Sequence, residues 1–289
     1  MTQHPLRFEA SLPGYRELSI PATGAILSGR LFLPAGRPVA AAVLHGATGV
    51  PQTFYAAFAE WLATERGIAC LTYDYRDFGA SQTASVRRSR ATLADWGLAD
   101  QAAAMAALDL EVPGVAKWVI GHSLGGAMLP FHRGLGHVER VIVIGAGIVH
   151  VSDHPWPYQA LARLFWHGHG PILTKLFGYL PGRIVGFGPD LPAGVYWQWR
   201  RWCTTRGYHL TDAGRALPMP DRSAVTAPMK FVAVADDQMV PPASVWRLMR
   251  CFPEAVKRQL TLRPGGSRRI GHLGPFRREN AWAWPELIA

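Results

Sequence analysis

The sequence predicts an α/β protein whose mostly parallel sheet carries helices on both faces. Short, wholly apolar runs (VAAAVLH, IACLTYDY, VERVIVIGAG) alternate with longer segments of helical spacing, the repetition expected of βαβ units. The apolar runs are continuous rather than alternating, as strands buried on both faces require. A chain of 289 residues with 49% apolar and 17% charged residues can bury one large core and has a globular composition.

In chain order, RELSIP and AILSGRLFLP read as an antiparallel hairpin. VAAAVLH is the first buried strand. The helix PQTFYAAFAEWLATERG follows, with Pro51 near its start and Gly67 at its end. Next come the strand IACLTYDY, an alanine-rich helix from about Thr92 to Leu110, and the strand KWVI. The run LGGAMLPFHRG is expected to continue as a helix despite its glycines. After VERVIVIGAG the alternation stops between Gly147 and Ala227, a stretch containing Trp156, Trp166, Trp197, Trp199 and Trp202. A structureless loop of that length is improbable in a compact domain, so residues 147–227 are expected to form a small helical cap inserted between core segments 1–146 and 228–289. The core resumes with the strand MKFVAVAD, the helix PASVWRLMRCF, the strand VKRQLTL and a last helix from about Pro275.

The formal charge of +10 invites nucleic acid or an anionic membrane as partner. The arginines are scattered, however, and no aromatic-basic module accompanies them, so nucleic-acid binding is not expected. The stretch VIVIGAGIV is far shorter than the about 20 residues a spanning helix needs, so no stable membrane anchor is expected. The segment MTQHPLRFEASLPGY has neither the apolar region nor the cleavage site of a secretory signal, and a cytoplasmic location is expected. Cys70, Cys203 and Cys251 are widely spaced and read as reduced packing residues. His167 and His169 have no acidic or cysteine partner nearby, and neither a dinucleotide nor a phosphate-loop motif is present, so no metal and no cofactor is expected.

One motif carries chemistry. In KWVIGHSLGGAM, Ser123 lies between Gly121 and Gly125, with a strand before it and helical sequence after it. This is the context of a nucleophile elbow, which lifts a serine hydroxyl above the sheet edge. A serine needs a base to take its proton and an acid to orient that base. The downstream stretches VAVADDQMVPP and RRIGHLGPF supply both kinds of residue, in the order acid then histidine.

The stretches HGATGVPQTFY, DYRDFGAS, GHSLGG, DDQMVPP and IGHLGPF make the chain resemble the α/β-hydrolase superfamily over essentially its whole length. It looks most like bacterial serine hydrolases of the lipase and serine-aminopeptidase-like type. The resemblance implies an eight-stranded α/β-hydrolase fold and a Ser123–Asp237–His272 triad, with His45 and His150 as alternatives for the base and Asp236 and Asp153 for the acid. It implies oxyanion donors at the backbone N–H groups of Leu124 and Ala47. His122 is assigned to packing beside the elbow. Asp77 stands where similar proteins have glycine; aspartate tolerates unusual backbone angles. The expected activity is hydrolysis of a small-molecule carboxylic ester, or a thioester or amide, through an acyl-enzyme, with the aromatics of the cap, Trp197 and Trp199, lining an apolar acyl pocket. Acyl transfer by the same intermediate and non-catalytic ligand binding are the alternatives. Homo-oligomerisation is left open.

Overall fold

The structure is a computed structural model and describes residues 14–289 apart from 222, 224 and 266–268. Most of the N-terminal stretch read above for a secretory signal lies outside the described residues. β1 (Tyr15–Ala22) and β2 (Ala25–Phe32) form the antiparallel hairpin. β3 (Ala40–His45), α1 (Ala56–Arg66) and β4 (Ile68–Tyr73) follow, and Gly67 ends α1 in the left-handed region. That conformation lets the chain reverse into the next strand at little steric cost.

The alanine-rich helix opens with a π turn, Asp95–Asp100, and continues as α2 (Gln101–Glu111). β5 (Ala116–His122) leads into α3 (Leu124–Ala127), which is only one turn long. The helix expected through LGGAMLPFHRG therefore stops early. A 3-10 turn over Leu129–Phe131 replaces it, with Pro130, which lacks an N–H, at its centre. β6 (Val138–Ile144) is the sixth of the eight strands of the main sheet.

The described residues of 145–228 add no strand to that sheet. They hold α4 (Tyr158–Leu164), a π turn (Phe165–His169), α5 (Gly170–Phe177), a two-residue pair of strands β7 (Tyr179–Leu180) and β8 (Leu191–Pro192), and α6 (Ala193–Thr204). Gln198 of α6 ties this segment to the rest: its Oε1 accepts from the Ala94 N–H at 2.9 Å while its Nε2 donates to Asp212 at 3.0 Å. β9 (Met229–Val234), α7 (Pro242–Met249) and β10 (Lys257–Leu262) follow. The last predicted helix begins as 3-10 turns and ends as α8 (Trp284–Ile288).

The eight long strands lie in the order β1-β2-β4-β3-β5-β6-β9-β10, with β2 antiparallel to both its neighbours, β1 and β4, and the other pairings parallel. Alternation along β3 shows why both faces need cover. Ala41 and Val43 join the core that includes Leu108 of α2 and Val245 of α7, whereas Ala42 and Leu44 join the one that includes Leu62 of α1 and Leu287 of α8. Parallel strands all point their carboxyl ends the same way. The loops after β3, β5 and β9 therefore meet at one edge of the sheet, the usual position of sites in open α/β sheets.

Candidate active site

The turn after β5 holds Ser123 at φ 52° and ψ −115°, a conformation that L-residues rarely adopt. The Ser123 N–H donates to Ile144 O at the end of β6 at 3.0 Å, and its carbonyl accepts from the Gly126 and Ala127 N–H groups. The turn closes this tightly only because its neighbours are small. A Cβ on Gly125 would stand 2.1 Å from the His45 carbonyl oxygen, and one on Gly121 would stand 2.6 Å from the Gly126 backbone. Backbone on both sides leaves nothing flexible to give way. Gly125→Ala is therefore expected to lower stability by about 1–3 kcal/mol or more, read as a fall in melting temperature.

The two aspartates after β9 have separate partners. Asp237, buried, places Oδ2 2.7 Å from His272 Nδ1, and its Oδ1 accepts from the Met239 and Val240 N–H groups, each at 2.8 Å. Since a carboxylate only accepts, His272 carries its proton on Nδ1. That leaves Nε2 as the basic nitrogen, and it is buried without a hydrogen-bond partner. Asp236 instead accepts from the Ile270 and Gly271 N–H groups at 3.0 Å each, clasping the loop that carries His272.

The remaining alternatives are engaged elsewhere. His45 is buried with Nδ1 on the Tyr73 hydroxyl at 2.8 Å, and burial, then the nearby His132, holds its imidazole well below the usual histidine range. His150 shares a capping arrangement with Ser152 and Asp153. Asp153 pairs with Arg247.

His122 does more than pack. Its Nε2 lies 3.1 Å from the His272 carbonyl oxygen, and its Nδ1 lies 2.8 Å from the Tyr55 hydroxyl. A carbonyl cannot donate, so Nε2 carries the proton and Nδ1 accepts the Tyr55 O–H. Burial, then the neighbouring His272, keeps this ring neutral, its pKa well below the ordinary value. The Tyr55 oxygen in turn accepts the Ala47 N–H at 2.8 Å. Ala47, expected to supply an oxyanion donor, thus has its N–H on the Tyr55 hydroxyl. Leu124, by contrast, is the first residue of α3, where an N–H has no partner within the helix. Neither Tyr55 nor the link through His122 was signalled by the sequence, because Tyr55 reads as one more apolar position at the start of α1.

A cavity of about 460 Å³ opens above the turn. Ser123, Met239 and Val240 line its floor, and Tyr158, Phe165 and Trp199 are among the residues of the 145–228 segment that line it. Trp197 is not among them, although it was expected beside Trp199. Two residues along a helix are about 200° apart around its axis, so α6 cannot present both to one space. Trp199 packs against Trp166 and Phe187, each with ring centroids 5.0 Å away, whereas Trp197 packs against Tyr196 at 5.1 Å. Asp77 adopts φ 57°, as its replacement of a glycine implies.

The model of the alpha/beta hydrolase family matches residues 42–279, most of the chain. The chain belongs to the α/β hydrolase family. No curated protein matches it. Among solved structures, this α/β hydrolase is similar to a presumed hydrolase from Agrobacterium vitis S4, at 16% identity and TM-score 0.61, with 95% of this chain and 97% of that one covered. It is also similar to a thermophilic esterase from Thermogutta terrifontis, at 15% identity and TM-score 0.55 over 95% and 97% of the two chains. A third similar structure is an α/β serine hydrolase from Xanthomonas campestris described as having no lid, at 11% identity and TM-score 0.55 over 97% and 96%. At these identities the likeness is one of fold.

Proposed function

We propose that this α/β hydrolase cleaves a carboxylic ester with an apolar acyl group through an acyl-enzyme on Ser123. The observation that carries this reading is the convergence on one sheet edge of a strained Ser123 facing the cavity and a buried Asp237–His272 pair with a free Nε2. The Ser123 hydroxyl attacks the ester carbonyl as His272 Nε2 takes its proton, and Asp237 stabilises the imidazolium so formed. The carbonyl electrons move to oxygen, which the Leu124 N–H stabilises at the positive end of α3. When the intermediate collapses, the alcohol leaves with the proton from His272. Water then attacks the acyl-enzyme, gives a proton to the same nitrogen, and releases the acid and free Ser123.

The apolar acyl group follows from the cavity wall, which is chiefly aliphatic and aromatic and whose about 460 Å³ lies in the range typical of small-molecule sites. The test is labelling of the purified protein with a fluorophosphonate, together with turnover of p-nitrophenyl esters of graded chain length. A protein that is folded yet unlabelled and inactive on every ester would refute the proposal.

The cavity also yields a prediction about specificity. Trp199→Ala should shift the preference among acyl lengths by about 1–3 kcal/mol, measured as ratios of kcat/KM, with labelling of Ser123 retained. Trp197→Ala should leave the ranking as it is in the wild type. Equal shifts from both variants would mean that α6 acts on the site through its packing rather than through the Trp199 side chain in the cavity wall.

A further inference from the structure

The backbone stays helical from Tyr158 through the π turn to Phe177, so α4 and α5 are two parts of one continuous run of about 30 Å. Side chains along it recur every four residues. Ala162, Trp166, Gly170 and Thr174 form the buried row. Arg163, His167 and Lys175 form a second row, all exposed. Leu164, Ile172 and Leu176 form a third, and these large apolar side chains are 58%, 65% and 71% exposed. A single exposed leucine is ordinary, but a row of exposed apolar residues on one helix is not.

Charge sets this region apart as well. No acidic residue occurs between Asp153 and Asp190, whereas Arg163, Lys175 and Arg183 do. None of those three takes part in an ion pair among the described residues. An exposed apolar row beside a cationic one is the pattern of a helix that lies in a membrane interface.

We propose that the helical run Tyr158–Phe177 docks the protein reversibly on an anionic lipid surface. Leu164, Ile172 and Leu176 enter the headgroup–acyl boundary while Arg163 and Lys175 meet the anionic headgroups. Pairing with a second copy fits less well, because a two-fold contact would bring the cationic rows together with no acid between them. Nor does the run cross a membrane: among the described residues no helix is long and apolar enough to do so. The docking face is continuous with the cavity, since Leu164 and the equally exposed Leu161 belong to its lining. A lipid-dissolved molecule would then reach the cavity without passing through water.

The test is flotation of the full chain with vesicles of phosphatidylcholine alone or of phosphatidylcholine with phosphatidylglycerol. Wild type is expected to float with the anionic vesicles, to stay behind with the neutral ones, and to be released as salt rises. Arg163→Gln and Lys175→Gln should each weaken partitioning about fivefold. The double variant Ile172→Ser/Leu176→Ser should weaken it about tenfold or more, with the wild-type melting temperature retained. These readouts need no catalysis, so their outcome stands apart from that of the proposed esterase. The proposal is overturned if wild type ignores anionic vesicles or if the variants bind as wild type does. It is also overturned if sedimentation shows a dimer that Ile172→Ser/Leu176→Ser dissolves, with no vesicle binding, since the surface then belongs to a second copy.

Discussion

Asp237→Asn is expected to lower kcat by about 10⁴-fold, and Asp236→Asn by no more than about tenfold, although the two residues are neighbours in sequence. The reason lies in what each carboxylate accepts. Asp237 Oδ1 receives two backbone N–H groups, from Met239 and Val240, while Oδ2 receives His272 Nδ1–H. An asparagine there must keep its carbonyl toward the two N–H donors and turn its NH₂ toward His272. The imidazole can meet that donor only as an acceptor, which moves its proton to Nε2 and removes the base. Asparagine at 236 loses one of the two bonds to the Ile270–Gly271 backbone, which loosens the His272 loop but leaves the ring's proton where it is. Steady-state kinetics of the two purified variants decide the matter. The reverse ranking would move the orienting acid to Asp236.

Ser123→Ala should reduce ester turnover by about 10⁴-fold or more and abolish fluorophosphonate labelling, with the fold retained. Alanine meets the same strain as serine at φ 52°, so the melting temperature should hardly change. Ser123→Gly separates the chemistry from the conformation. It should be just as inactive yet more stable, because releasing about 1–3 kcal/mol of backbone strain outweighs the roughly 0.5–1 kcal/mol entropic cost of a glycine. Wild-type turnover in either variant would be incompatible with the acyl-enzyme. A glycine variant that melts below wild type would show instead that the turn holds little strain.

The part of the site legible in the sequence is the part made by neighbours along the chain. An apolar run of the right length specifies a strand buried on both faces wherever it ends up, and GHSLGG specifies a sharp turn because small residues alone permit the close backbone approaches around Gly121 and Gly125. The αβ alternation, the interruption after Gly147 and the candidate residues Ser123, Asp237 and His272 were all readable in that way or through the family resemblance. The early stop of α3 was also readable in principle from Pro130, although the run LGGAMLPFHRG was expected to continue as a helix despite its glycines.

Other features depend on contacts between residues far apart in the chain, and only the tertiary structure decided them. Ala47 is an accessible-looking donor in HGATG, yet the Tyr55 hydroxyl, itself fixed by His122 from the elbow, occupies its N–H. Trp197 and Trp199 are equivalent as letters, and the phase of α6 sends only Trp199 to the cavity. Asp236 and Asp237 differ by which loop atoms lie opposite them, 34 and 35 residues away. Hydrophobic period and turn chemistry are properties of a few consecutive residues and survive in any context, so the sequence by itself determined the fold class and the elbow. Hydrogen-bond partners and the face a side chain presents depend on the direction in which a donor or a helix finally points, and that direction exists only once the distant strands and helices have packed.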